Sequence, residues 1–172
     1  ADLAALEAAC ARLDEGAGTV WAGDNREGFH GGAHLTRWVE TKAQMAALQA
    51  RFREHCDLIR VMPFLPGVPC SIHGIVFDDY VAALRPCEMV VFKKTEGRFH
   101  YGNAATVWDP SDDVRVDMRA IAKRTGDHLR AELGYRGAFT IDGVLTDDGF
   151  RPTELNPRFG AALGKIAQSV DL

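Results

Sequence analysis

The sequence predicts an α+β fold with a largely antiparallel sheet. Runs rich in Val, Ile, Phe and Leu outnumber the stretches with helical periodicity. Several of these runs are joined by short turn sequences, DDY at 78–80 and DDG at 147–149, which make hairpins rather than parallel crossovers. No repeat or low-complexity tract interrupts the pattern.

Each element follows from its own residues. Leu3, Leu6, Cys10 and Leu13 recur at helical spacing, which predicts a helix over 2–14, ended by Gly16 and Gly18. GTVWA at 18–22 reads as a short strand. A loop with four glycines between Gly23 and Gly32 follows, and a second strand is expected over 34–39. Thr41 is placed to cap a helix through about Glu54, with Met45, Leu48 and Phe52 inside. Residues 57–92 carry apolar runs broken by Pro63, Pro66, Pro69 and the DDY turn, which predicts three strands. Residues 93–113 read as loop and short extended pieces. Val114, Met118, Ile121, Ala122, Thr125, Leu129 and Leu133 trace one helix face that Gly134 stops. Strands over 137–145 and 150–155 flank the DDG turn, and a short helix starts near Ala161, with Leu163, Ile166 and Val170 inside.

The last hairpin permits a geometric prediction. A three-residue loop, Asp147–Asp148–Gly149, pairs Thr146 with Phe150 and brings Asp142 opposite Glu154. Asn156 then shares the face of Glu154. Two facing carboxylates repel, so such a pair needs solvent, a proton or a cation between them. Two carboxylates and a carboxamide oxygen are hard ligands that suit Mg²⁺, and Arg158 is placed to grip an anion bidentately. The other reading of these residues is a solvated edge hairpin whose charge pair has no role.

Composition narrows the classes. The chain of 172 residues fits one domain or a compact pair of lobes, with 47% hydrophobic and 26% charged residues, as in globular proteins. A net charge of −4 argues against a general nucleic-acid binder. No apolar run reaches the roughly 20 residues of a membrane-spanning helix. The N-terminal residues lack a basic stretch, unlike a signal peptide. Cys10, Cys56, Cys70 and Cys87 form no CxxC pair, so reduced thiols in a cytoplasmic protein are expected. A chain that opens at Ala1, already in helical periodicity, reads as a fragment of a longer one.

The stretch GAFTIDGVLTDDGFRPTELNPRFGAAL at 137–163 resembles the end of the ATP-binding domain of the ATP-grasp superfamily, which includes biotin carboxylase, carbamoyl-phosphate synthetase and D-alanine–D-alanine ligase. The shared pattern is an acid on one strand, about a dozen residues, then E-x-N-P-R. The resemblance implies two α+β lobes with mainly antiparallel sheets: residues 1–60 as a small lobe with a glycine-rich loop, and 61–172 as a lobe with a metal-binding hairpin. It implies ATP with Mg²⁺ or Mn²⁺ held by Asp142, Glu154 and Asn156, and a catalytic role for Arg158. Gly31 and Gly32, in NREGFHGGAHLTRWV, match the loop that closes on phosphates through backbone N–H groups. Pro63, Phe64 and Leu65 match the hinge whose backbone binds adenine.

The activity so implied is an ATP-dependent carboxylate–amine or carboxylate–thiol ligase acting through an acyl phosphate. Its partners would be small-molecule carboxylate and amine substrates, a second copy in a homodimer, and upstream domains of the same parent chain, with no nucleic acid and no membrane. One departure stands out. The strand GTVWA has no lysine where the family carries one that reaches the ATP phosphates; Ala22 or Gly23 stands there, with Arg26 and Arg37 the nearby cations. That departure motivates the alternative of a nucleotide-binding or regulatory module without turnover.

Other residues read as follows. Arg85 and Glu88 face either a cleft or an edge, and Lys93 and Lys94 read as solvated. His73 reads as structural, and Ser71 lacks a nucleophile elbow. His30 and His34 lack the Glu of a zinc helix, and Cys70 and Cys87 read as core.

Overall fold

A computed structural model describes residues 3–24 and 33–168. Arg26, His30, Gly31, Gly32 and Val170 of the sequence expectations lie outside the described residues. The chain forms two compact units, Ala1–Pro66 with Val91–Tyr101, and Gly67–Val90 with Gly102–Leu172.

In the first unit, helix α1 (Leu3–Leu13) precedes strand β1 (Thr19–Gly23). Strand β2 (Thr36–Val39), helix α2 (Lys42–His55) and strand β3 (Ile59–Pro63) follow. The sheet order is β2-β1-β3, antiparallel throughout. Thr19, Trp21, Arg37 and Val39 are buried, whereas Val20, Ala22, Thr36 and Trp38 are not, so one face of the sheet carries the core. Trp21 packs edge-on against Phe52 with ring centroids 5.8 Å apart, and Leu6, Cys10, Met45 and Leu48 complete the cluster. Thr41 starts α2 with a reciprocal capping box: its Oγ1 accepts from the Gln44 N–H (3.2 Å), and its own N–H donates to Gln44 Oε1 (3.0 Å).

Residues 57–92 hold four strands rather than the three expected. After β3 come β4 (Val68–Val76), β5 (Val81–Ala83) and β6 (Cys87–Lys93). The Leu84–Pro86 segment splits β5 from β6, because Pro86 cannot donate to a ladder. Residues 93–113, read as mostly loop, contain a 3₁₀ turn (Thr95–Gly97) and a seven-residue strand β7 (Phe99–Ala105). Strand β7 is an edge strand with few buried positions, so it carries none of the alternation that reveals half-buried strands.

The second unit is built on a sheet in the order β7-β6-β4-β8-β9, with β5 pairing β4. Here β8 is Gly137–Thr146 and β9 is Gly149–Asn156. Helix α3 (Asp112–Leu133) buries Met118, Ala122 and Leu129 against Ile72, Phe139 and Ile141. Its last expected core residue, Leu133, is instead exposed. Gly134 stops the helix in the left-handed conformation, φ 60°. On the sheet's other face, Ala162 and Ile166 cluster with Cys87, beside and within helix α4 (Leu163–Gln168).

Candidate functional site

The β8–β9 hairpin reaches the predicted pairing by a different route. Its loop has two residues, not three: Thr146 pairs with Gly149 and Leu145 with Phe150. Continued unbroken, that register would place Asp142 opposite Thr153 and turn Glu154 to the other face. A bulge between Asp142 and Gly143 absorbs the extra residue, and Asp142 stands opposite Glu154 after all. Pro152, which has no N–H, pairs with Gly143 next to the bulge, and the Thr153 hydroxyl donates to the Asp142 carbonyl at 3.2 Å.

Four polar side chains meet at this end of the hairpin. Asp142 is half-buried, and each carboxylate oxygen accepts one hydrogen bond. Ser71 Oγ donates to Oδ1 at 2.6 Å, and Asn156 Nδ2 donates to Oδ2 at 3.1 Å. Arg158 Nη2 donates to Asn156 Oδ1 at 3.2 Å. Arg158 is also anchored locally, with its N–H on the Asn156 carbonyl (2.8 Å) and Nη1 on the Phe159 carbonyl (3.1 Å). Burial pushes the Asp142 carboxyl above its ordinary range. The Ser71 bond opposes that, Glu154 adds to it, and Arg158 opposes it.

Ser71 is a site residue that sequence reasoning missed. It pairs with Asp142 across β4 and β8, a long-range ladder that no turn sequence announces. The same face continues inward to His73 and Thr140, which pair with each other. His73 Nδ1 and Thr140 Oγ1 are buried without a hydrogen-bond partner. Burial depresses the His73 imidazole to about 4, so it is neutral at physiological pH. Gly160 lies directly on the pair: a Cβ there would stand 2.4 Å from Thr140 Oγ1 and 2.6 Å from His73 Nε2. Only glycine lets the Arg158–Gly160 turn sit this close to the sheet.

The donor set fits a hard divalent cation: two carboxylates, from Asp142 and Glu154, and a carboxamide. Asn156 Oδ1 faces Arg158, and a half-turn of the amide brings that oxygen to the carboxylate side. Among the described residues no three His, Cys, Asp or Glu side chains cluster as metal ligands, so this pair of acids with an amide is the hard-oxygen candidate.

Pro63 ends β3, and Phe64 and Leu65 follow it, in the first compact unit. The Phe64 N–H donates to the Gly18 carbonyl at 3.1 Å, and its ring stacks on Trp38 at 3.9 Å, 6° from parallel. Lys93 sits 3.9 Å above the Trp38 ring and pairs with Glu40. Arg85 Nη2 donates to the Trp108 carbonyl, 3.4 Å away. Burial raises the Cys70 thiol to about 12 and the Cys87 thiol to about 11, so neither is a nucleophile at neutral pH. Arg37 pairs with Trp21 on the core face of the sheet, whereas Ala22 pairs with Thr36 on the opposite face.

No protein-family model matches the chain, and no curated protein matches it either. Solved structures do match. N5-carboxyaminoimidazole synthase from Aspergillus clavatus, solved with ADP and 5-aminoimidazole ribonucleotide, superposes with a TM-score of 0.67 at 12% identity, covering 92% of this chain and 38% of that one. VanG D-Ala:D-Ser ligase from Enterococcus faecalis gives 0.65 at 14% identity, covering 90% and 43%. An ATP-grasp superfamily protein from Archaeoglobus fulgidus gives 0.54 at 21% identity, covering 65% and 34%. The chain has the ATP-grasp fold, α+β with mainly antiparallel sheets, and spans less than half the length of each of these proteins.

Proposed function

We propose that this chain is the ATP- and Mg²⁺-binding part of an ATP-dependent carboxylate–amine or carboxylate–thiol ligase. The observation that carries the reading is the bulge-corrected pairing of Asp142 with Glu154, joined to Asn156 and Arg158 by hydrogen bonds. Asp142, Glu154 and Asn156 would hold Mg²⁺ or Mn²⁺, which neutralises phosphate charge when bound. Ser71 keeps the Asp142 carboxylate oriented toward β9. Arg158, held by its own turn, would grip the transferring phosphoryl group or the carboxylate of the acyl phosphate. The backbone of Pro63, Phe64 and Leu65 would take the adenine, and Gly31 and Gly32 the phosphates. The chain's own contribution is positioning and electrostatics.

In the full-length protein, Mg-dependent ADP formation should rise when the correct carboxylate and amine are both present. Glu154→Ala should abolish it, and unchanged turnover in that variant sinks the metal assignment. A second reading, nucleotide binding without turnover, is supported by Ala22 and Gly23 at the expected lysine position in β1. Mg-ATP binding without product across the whole substrate panel would favour it.

A further inference from the structure

The face of the first unit's sheet that points away from its core carries an exposed cation on β3. Ile59 and Val61 pack on the core, so Arg60 and Met62, the alternate residues of the same strand, point the other way. Ala22 pairs with Thr36 on one side and with Arg60 on the other. The row Thr36–Ala22–Arg60 therefore crosses β2, β1 and β3 on the non-core face, with Trp38–Val20–Met62 as the next row. Directly opposed residues have Cβ atoms about 4.5–5.5 Å apart, so the Arg60 side chain leaves the sheet beside the Ala22 methyl group.

The register is pinned at this end of the sheet. Asp24 Oδ1 accepts from the N–H groups of Asp57 (2.8 Å) and Leu58 (3.0 Å), and the Asp24 N–H donates to the Leu58 carbonyl (2.9 Å). Arg60 is exposed, and among the described residues it makes no hydrogen bond and no ion pair. Lys93 differs on both counts: it lies over Trp38, one row further from the Ala22 position, and it is paired with Glu40.

We infer that Arg60 supplies to the nucleotide phosphates the positive charge that β1, with Ala22 where a lysine is expected, does not. The inference rests on the ATP-binding reading above. A guanidinium offers two parallel donors to the oxygens of one phosphate, where a lysine offers a point charge. Thr36, on the other side of Ala22, adds a hydroxyl to the same row.

The test is calorimetric titration of the full-length protein with Mg-ATP and with adenosine, which lacks the phosphates. Arg60→Met should weaken Mg-ATP binding roughly 10- to 100-fold, the loss of a charge-assisted contact, and leave adenosine affinity unchanged. Arg60→Lys keeps the charge but not the fork, so its Mg-ATP affinity should fall between the two. Ala22→Lys added to Arg60→Met should restore part of the affinity, because it returns a cation to the neighbouring position of the row. Unchanged Mg-ATP affinity in Arg60→Met overturns the inference and leaves the ATP-binding reading standing. A loss in Lys93→Met with none in Arg60→Met does the same. An equal loss for adenosine and Mg-ATP in Arg60→Met also overturns it, since the phosphates are then not what Arg60 serves. A parent protein that does not bind Mg-ATP overturns the inference and the ATP-binding reading together.

Discussion

Replacing Gly160 by alanine tests how tightly the Arg158 turn is held on the sheet. The added Cβ would stand 2.4 Å from Thr140 Oγ1 and 2.6 Å from His73 Nε2, where ordinary contact begins at 3.4 Å. One side or the other must move by roughly 1 Å, well beyond what packed interiors absorb freely. Thr140 and His73 are 4% and 1% exposed on adjacent paired strands, so neither can swing into solvent. The turn from Pro157 to Ala162 must give instead. Overpacking of this kind costs about 1–3 kcal/mol. Urea unfolding, followed by the fluorescence of Trp108 in the same unit, should move to a lower midpoint by about 1 M with an unchanged slope. The displacement also moves Arg158, so Mg-ATP affinity should fall in the same variant. Trimming the obstruction should restore part of both losses in Gly160→Ala/Thr140→Ala. A Gly160→Ala protein within about 0.5 kcal/mol of the parent, with unchanged nucleotide affinity, would refute the reasoning.

Glu154→Gln alters an exposed residue, so it should leave stability within about 0.5 kcal/mol while removing divalent-metal binding, read by Mn²⁺ titration. His73 titrates at about 4 when folded against 6.5 when free, so the unfolded chain holds more protons between these values. Stability should therefore fall as pH drops from 6.5 to 4, by about 3 kcal/mol in the limit, and His73→Phe should remove that part of the slope in pH-dependent urea curves. Thr41→Ala removes one arm of the capping box and should cost about 1 kcal/mol in thermal or urea unfolding, without altering metal binding.

Helix positions were legible because they rest on local signals. Thr41 caps α2, and Gly134 ends α3 with a positive φ. The facing of Asp142 and Glu154 was legible for a subtler reason. The sequence reading assumed a three-residue loop; the chain uses a two-residue loop and a bulge, and the two differences cancel at Asp142. A hydrophobic pattern fixes which face a strand buries, and either route satisfies it. Ser71 was not legible, because its bond to Asp142 depends on pairing between residues 71 positions apart. Strand β7 escaped because an exposed edge strand has no apolar side to show. The burial of Arg37 also left no trace in the sequence, since burial of a β2 side chain depends on how helices cover the sheet.

The central claim is that Asp142, Glu154 and Asn156 act together on a divalent cation. Paramagnetic broadening of backbone amide signals by Mn²⁺, recorded with and without ATP, tests it most directly. The account predicts that signals at 141–143 and 153–156 broaden first, that ATP tightens the effect, and that Glu154→Gln removes it. Broadening centred elsewhere in the chain, or unchanged in Glu154→Gln, would contradict it.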